Sequence, residues 1–256
     1  MYALVTGASS GCGYEYARQL AAKGYDLLMV SNEEAIHERA ATLRADFPVH
    51  VISRVQDLGT PTAARDLYDY CRNNDIQVEV LINNAGVYHD RDFLADSEGF
   101  NILILNLHVL TPAMLLYYFA QDMSARGKGY VLNMCSVTYG IAVQRLATYA
   151  STKAFLRNFS RSTYVELKDK GVTVTDVTPG AINTGLYNIR PWATKLGLVL
   201  GYIVEPDYLV RRALRGMFRG RHRVSVPCVW NVVLIALVAL VPCISVFRAV
   251  CAAKMF

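Results

Sequence analysis

The sequence predicts an α/β fold: a doubly wound, seven-stranded parallel sheet with helices on both faces over residues 1–227, followed by an apolar helical tail over 228–256. Three observations lead there. Short β-rich runs alternate with longer stretches of helical periodicity, the pattern of a parallel sheet covered on both sides. A glycine-rich turn, Thr6 to Gly13, follows the first run and opens the first helical stretch. No internal repeat, low-complexity tract or linker breaks the chain before residue 227, so one large core is enough and no second domain is needed.

The strands are read at Tyr2–Thr6, Tyr25–Val30, Val49–Ser53, Val78–Ile82, Tyr130–Met134, Val172–Val177 and Val224–Val226. Each is short and rich in β-branched, aromatic or other apolar residues. Between them helical stretches run over about 12–23, 33–46, 61–74, 97–125, 148–170 and 205–218. Seven strands with six helices between them fill one doubly wound domain.

Composition excludes several classes. With 53% apolar and 18% charged residues the chain is neither disordered nor collagen-like nor a small disulfide scaffold. Six cysteines form no CxxC pair and five histidines form no HExxH or Cys/His cluster, so no metal site and no disulfide framework is expected. The apolar run Tyr2-Ala-Leu-Val meets Thr6-Gly7 at once, without the pattern of a signal peptide; the main domain is expected in the cytoplasm with reduced thiols. The net charge of +5 is uneven: eight Lys or Arg and no Asp or Glu lie between Tyr208 and Phe256, so the rest of the chain is slightly acidic.

The turn Thr6-Gly7-Ala8-Ser9-Ser10-Gly11-Cys12-Gly13 has two readings: a bare strand-to-helix turn, or a cradle whose glycines let the backbone approach a pyrophosphate at a helix N-terminus. Its position favours the cradle, and hence a Rossmann-like domain. At the end of the second strand, where such domains separate NAD from NADP, the chain reads Val30-Ser31-Asn32-Glu33-Glu34. Ser31 and Asn32 suit a 2′-phosphate, while Glu33 and Glu34 repel one unless they point outward; the reading leans to NADP over NAD. Tyr149 and Lys153, four residues apart on a helix, share a face, where an ammonium favours the phenolate. By itself that spacing is common on neutral helix surfaces. Ser136 ends a strand at the sheet's C-terminal edge, where ligands bind in open α/β sheets.

Together these residues resemble the short-chain dehydrogenase/reductase family: Thr6-Gly-Ala-Ser-Ser-Gly-Cys-Gly for its TGxxxGxG, Asn83-Asn84-Ala85-Gly86 for its NNAG, then Ser136, Tyr149-Ala-Ser-Thr-Lys153 and Pro179-Gly180. The resemblance covers about residues 1 to 227. It implies that Tyr149 is the general acid/base, that Lys153 lowers its pKa and bonds the nicotinamide ribose, and that Ser136 hydrogen-bonds the substrate oxygen. Asn106 is implied to hold a water that relays protons through Lys153. Implied cofactor contacts are Gly7, Ser9, Ser10, Gly11, Cys12 and Gly13 at the phosphates, Asp57 and Leu58 at the adenine, and Asn84, Ala85 and Gly86 near the adenosine ribose. Asn83 is expected to be structural. Pro179, Gly180, Ile182 and Thr184 complete the implied set at the carboxamide, although caps are nearly as good a reading of Asp57 and Thr184. Cys12 stands where the family often has Ile, and Asn32 where many NADP-preferring members have Arg.

After Thr184 the chain is rich in apolar residues, from Leu186 through Trp192 and Leu198 to Ile203. The resemblance implies a substrate loop here, and these residues fit a lid over a small hydrophobic substrate, such as a steroid or long acyl chain, and equally a core or subunit contact. The pattern is similar to hydroxysteroid dehydrogenase and 3-oxoacyl-CoA reductase-like members, and a homo-oligomer is expected. From Cys228 to Phe247 only Asn231, Pro242 and Ser245 are not apolar, and 20 helical residues rise about 30 Å, a bilayer's hydrocarbon thickness. Membrane contact is the favoured reading; an interfacial hairpin, a lid and a dimer contact are the alternatives. The arginines at 211, 212, 215 and 219 suit one exposed helix face near anionic lipid and lack the interleaved aromatics of a nucleic-acid surface. Two functions follow: an NAD(P)-dependent oxidoreductase of hydrophobic alcohols or ketones, or a membrane-tethered dinucleotide-binding sensor or scaffold without significant catalysis.

Overall fold

A computed structural model of the chain describes residues 1–88, 90–140, 144–184, 194, 197–198 and 203–226. The expected tail and most of the apolar segment after Thr184 lie outside the described residues. In chain order the elements are β1 (Tyr2–Thr6), α1 (Gly11–Ala21), β2 (Asp26–Ser31), α2 (Ile36–Asp46), β3 (Val51–Val55), α3 (Ala63–Asn73), β4 (Val78–Asn83), α4 (Glu98–Leu105), α5 (Thr111–Arg126), β5 (Gly129–Met134), α6 (Ala147–Leu167), β6 (Val172–Pro179), β7 (Ala181–Ile182), β8 (Ile203–Val204), α7 (Pro206–Phe218) and β9 (Arg223–Val226).

Seven strands form one sheet in the order β3-β2-β1-β4-β5-β6-β9, every pair parallel, as the alternation of strand and helix predicts. The order reverses between β1 and β4, and there the helices leave by opposite faces and a crevice opens above the strand ends. Both faces of the sheet are buried, which is why the strands read as apolar runs rather than alternating ones. In β1, Ala3 and Val5 pack with Tyr16 of α1, Ile36 of α2 and Leu214 of α7, while Leu4 between them faces Leu67 of α3 and Phe119 of α5.

Element boundaries differ from the sequence reading by a few residues. The third strand starts at Val51 rather than Val49, because Val49 is held in a tight turn by its N–H bond to the Phe47 carbonyl. The helix expected from 33 starts at Ile36, after turn bonds from Ile36 and His37 back to Glu33 and Glu34. The two-residue strands β7 and β8, too short to show a period, pair with each other; Ile203, expected in the substrate segment, is buried there.

The helix read over 97–125 is continuous from Glu98 to Arg126, but a π turn at Asn106–Leu110 separates α4 from α5. Pro112 has no N–H to give the His108 carbonyl, so the ladder misses a rung, and the Thr111 N–H reaches back five residues to Asn106. Two side chains pin the turn to the loop after β3: Asn106 Nδ2 donates to the Gly59 carbonyl at 2.9 Å and Thr111 Oγ1 to the Leu58 carbonyl at 2.8 Å.

One row of the sheet is polar. Asn83, Asn133, Asp176 and Arg223 stand opposite one another across β4, β5, β6 and β9. Asn83 Nδ2 donates to Asn133 Oδ1 at 2.8 Å, Asn133 Nδ2 to Ser160 Oγ of α6 at 2.8 Å, and Arg223 and Arg157 pull the Asp176 pKa down against the larger upward push of burial.

Candidate active site

The crevice is a cleft of about 470 Å³ running from the end of β2 to the start of α6. At one wall the turn between β1 and α1 supplies Gly7, Ser9, Ser10, Gly11 and Cys12. Gly7 and Gly11 have φ of 65° and 52°, a left-handed backbone that side chains rarely adopt. A Cβ on Gly7 would lie 2.9 Å from Ala85 Cα, and one on Gly13 would collide with the Gly7 carbonyl. Gly13 therefore packs the helix onto the turn and does not itself line the cleft. Ser10 precedes α1 without a side-chain cap and no acidic residue sits in the first turn, so the helix start offers its amides to an anion.

Asn83-Asn84-Ala85-Gly86 locks this wall. Thr6 Oγ1 accepts from the Asn84 and Ala85 amides, both at 3.0 Å, and Asn84 Nδ2 donates to the Thr6 carbonyl at 3.0 Å. Asn83 points away, into the polar row, in the structural role expected of it. At the far end Ser31, Asn32, Asp57 and Leu58 all line the cleft. Ser31 Oγ donates to Ser9 Oγ at 3.0 Å, tying the end of β2 to the glycine turn, and Asn32 and Glu33 are exposed at the rim. Asp57 Oδ1 accepts from the Gly59 amide at 2.8 Å, so it caps a turn as well as facing the cleft. The Thr184 methyl lies 3.3 Å from where a Cβ on Gly11 would stand, which closes the cradle from above.

At the other end Ser136, Tyr149 and Lys153 come together, 7%, 6% and 6% exposed. Helix periodicity sets both Tyr149 and Lys153 on the face of α6 that meets the sheet, with Lys153 Nζ 5.7 Å from the Tyr149 ring centre. Nζ donates to the Met134 carbonyl at 2.9 Å, and burial lowers the Lys153 pKa from 10.5 to about 8. Ser136 Oγ accepts from the Thr138 amide at 3.2 Å and the Thr138 hydroxyl at 3.0 Å. Its own proton is thereby left to point elsewhere.

Of the expected site residues, Asn106, Gly13 and Gly180 do not line the cleft. The Asn106 side chain faces Gly59, not Lys153; it anchors the π turn. Sequence reading missed Gln56, Val87, Leu107, His108, Met134 and Cys135, which also line the cleft, as does Glu33, which it weighed as repelling a 2′-phosphate. Most adjoin a motif residue, and that adjacency is the signal for them; His108 carries none, being a lone histidine on an apolar helix. Cys135 is buried, which pushes its thiol up to about 12 and leaves it unreactive.

The cleft fits a dinucleotide: the glycine turn has no Cβ where a pyrophosphate would lie, helix amides face it, and one continuous crevice joins the phosphate cradle to the Tyr149–Lys153 pair. A doubly wound sheet with such a cradle at its switch point and this pair on the next helix defines the Rossmann-fold dinucleotide oxidoreductases as a class. A family model for short chain dehydrogenases matches residues 1–192, and the chain belongs to that family. It is 30% identical over 196 residues to very-long-chain 3-oxoacyl-CoA reductase-A of Danio rerio, an alignment covering 74% of this chain and 60% of that one. The chain thus spans about three-fifths of the length of the first curated relatives it matches. Among solved structures, a short-chain dehydrogenase of Sphingobium yanoikuyae in complex with NADPH is 28% identical with a TM-score of 0.79, covering 93% of this chain and 94% of that one. A bulky-bulky ketone specific alcohol dehydrogenase of Comamonas testosteroni is 27% identical with a TM-score of 0.77, covering 93% and 92%.

Proposed function

We propose that this chain interconverts a hydrophobic ketone and its alcohol with NADP, in preference to NAD, as redox partner. The observation that carries the reading is the convergence of Ser136, Tyr149 and Lys153 at one end of the cleft whose other end is the glycine cradle. Bound nicotinamide supplies or takes up the hydride equivalent. Gly7, Ser9, Ser10, Gly11 and Cys12 would hold its phosphates, Ser31 and Asn32 would meet the 2′-phosphate, Asp57 and Leu58 would border the adenine, Asn84, Ala85 and Gly86 would border a ribose, and Pro179, Ile182 and Thr184 would close the carboxamide end. The Ser136 hydroxyl, its oxygen already engaged by Thr138, donates to the substrate oxygen. Tyr149 Oη gives that oxygen a proton in reduction and removes it in oxidation. The Lys153 ammonium favours the phenolate, and because burial brings its pKa to about 8 it exchanges protons near neutral pH. The Asn106 side chain is engaged with Gly59, so the relay role the resemblance implies is not assigned to it; its π turn packs beside α6.

The substrate class rests on likeness: relatives named for 3-oxoacyl-CoA and bulky ketones suit the apolar residues after Thr184. A homo-oligomer is proposed on the exposed apolar side chains of Leu105, Tyr117, Phe155 and Val165 on the long helices. Membrane contact through 228–247 is proposed on sequence, beside the exposed arginines 211, 212 and 215 of α7 and Arg219 just after it; co-sedimentation with anionic vesicles, lost in a 1–226 truncation, is the expected result.

Assaying NADPH oxidation over steroids, 3-oxoacyl thioesters and bulky ketones tests the reading. Tyr149→Phe should lower turnover at least about 100-fold while NADPH affinity stays within about twofold. A variant that keeps most activity overturns the assignment, and NADPH binding without turnover of any carbonyl favours the sensor instead.

A further inference from the structure

His108 is almost fully buried at the π turn and lines the cleft between the cofactor wall and the catalytic helix. The Val87 amide donates to its Nε2 at 3.0 Å, which makes that nitrogen the acceptor and places the ring proton on Nδ1. Nδ1 lies 3.1 Å from Thr152 Oγ1 and donates to it, and the Thr152 hydroxyl in turn donates to the Tyr149 carbonyl at 2.7 Å. All donors therefore run one way, from Val87 through His108 and Thr152 to the backbone of Tyr149. The imidazole also stands edge-to-face against the Tyr149 ring, centroids 5.7 Å apart. Gly86 makes room for it: a Cβ there would lie 2.9 Å from Nε2.

We propose that His108 is a positioning residue that sets the distance between the cofactor wall at Gly86–Val87 and the Tyr149 hydroxyl, through two separable bonds. This rests on the proposed role of Tyr149. The bond to Val87 holds the Gly86–Val87 wall of the cleft in which the cofactor would lie. The bond to Thr152 holds the first turn of α6, and so the height of Tyr149 over the substrate. Only a neutral ring with its proton on Nδ1 completes the chain, since a proton on Nε2 would face the Val87 N–H. Burial and the nearby Lys153 ammonium keep the ring in that neutral form. A misplacement of about 1 Å in a catalytic group lowers rates by about 100-fold, so small changes in this spacing are visible in kinetics.

The two bonds can be cut one at a time. In His108→Gln the longer side chain carries an amide oxygen to the Nε2 position and keeps the Val87 acceptor, but loses the donor to Thr152. In His108→Asn the amide nitrogen takes the Nδ1 position and keeps Thr152, but leaves Val87 without an acceptor. His108→Leu removes both. Using the full chain, NADPH affinity is measured by fluorescence titration and steady-state constants with 3-oxobutanoyl-CoA or the fastest ketone of the panel. His108→Gln should lower kcat at least about 10-fold with NADPH affinity unchanged. His108→Asn should weaken NADPH at least about 5-fold with kcat within about threefold, and His108→Leu should do both.

Folded variants with all constants within twofold of the parent overturn the proposal, as does an equal loss in all three variants, which marks a merely structural side chain. Tyr149→Phe runs alongside. If it is inactive while the His108 variants are normal, only the His108 inference fails. If it is active, the reading beneath it fails, and the NADPH titration still judges the Val87 bond.

Discussion

Lys153 lowers the stability of the fold it serves. Its ammonium is 6% exposed, and its pKa falls from 10.5 to about 8 because burial disfavours the charged form. At about 1.4 kcal/mol per pH decade, that fall corresponds to about 3 kcal/mol of destabilisation while the group stays charged in both the folded and unfolded chain. Lys153→Met removes the charge at similar length. It also forfeits the bond from Nζ to the Met134 carbonyl, worth about 1 kcal/mol, so the cofactor-free variant should be more stable by about 2 kcal/mol at pH 7. For a chain of this size that is a rise in Tm of about 5 °C, in a protein that has lost turnover.

The pH dependence carries the sign. Below pH 8 the lysine is protonated in both states and the full cost is present. Between pH 8 and 10.5 the folded lysine sheds its proton while the unfolded one keeps it, so the parent protein gains stability as pH rises. The advantage of Lys153→Met should therefore shrink over that range and reverse near its top, where only the lost hydrogen bond remains. Calorimetry without nucleotide at pH 7, 8.5 and 10 reads it directly. A variant melting at or below the parent at pH 7, or a gap constant across the three, refutes the reasoning.

Ser136→Ala should lower kcat about 100- to 1,000-fold while NADPH titrates as in the parent, since the proposed role of its hydroxyl is to donate to the substrate oxygen, not to the cofactor. Asn32→Arg should raise the ratio of kcat/KM for NADPH over NADH at least about 10-fold, because it sets a cation at the rim beside Ser31. Gly13→Ala drives a methyl into the Gly7 carbonyl, so Tm should drop by several degrees and NADPH binding, measured by fluorescence, should be lost.

The sequence carried the strand-helix alternation well, because a sheet buried on both faces needs apolar runs and each of those runs was visible. It carried the glycine turn, Asn83 to Gly86, Ser136, Tyr149 and Lys153, since each stands at a strand end or one helical turn from its partner. It did not carry the π turn, whose residues keep an ordinary helical periodicity; Pro112 was the one mark that a hydrogen bond would be missing. That turn aims His108 inward and Asn106 at Gly59, and neither direction follows from spacing in a regular helix. The pair β7 and β8 escaped because two residues have no period, and Ile203 was assigned to the substrate segment on apolarity alone. Asp57 shows a different limit: it both caps a turn and lines the cleft, so the two readings of it were never exclusive.

The polar row beneath α6 bears on how the strands find their alignment. Valine, leucine and isoleucine are nearly interchangeable neighbours, so apolar parallel strands tolerate a slide of two residues that leaves every side chain on its proper face. Such a slide of β6 along β5 would carry Asp176 away from Asn133 to stand beside an apolar residue, and the same slide of β9 would strand Arg223. Setting a buried polar side chain beside an apolar neighbour without compensation costs about 1–3 kcal/mol, enough to penalise the slipped sheet. Two residues of strand are about 7 Å, more than the reach of a hydrogen bond. Asn83, Asn133, Asp176 and Arg223 thus act as index marks along the strand ends, keeping Ser136 after β5 level with Gly86 after β4 and Gly180 after β6.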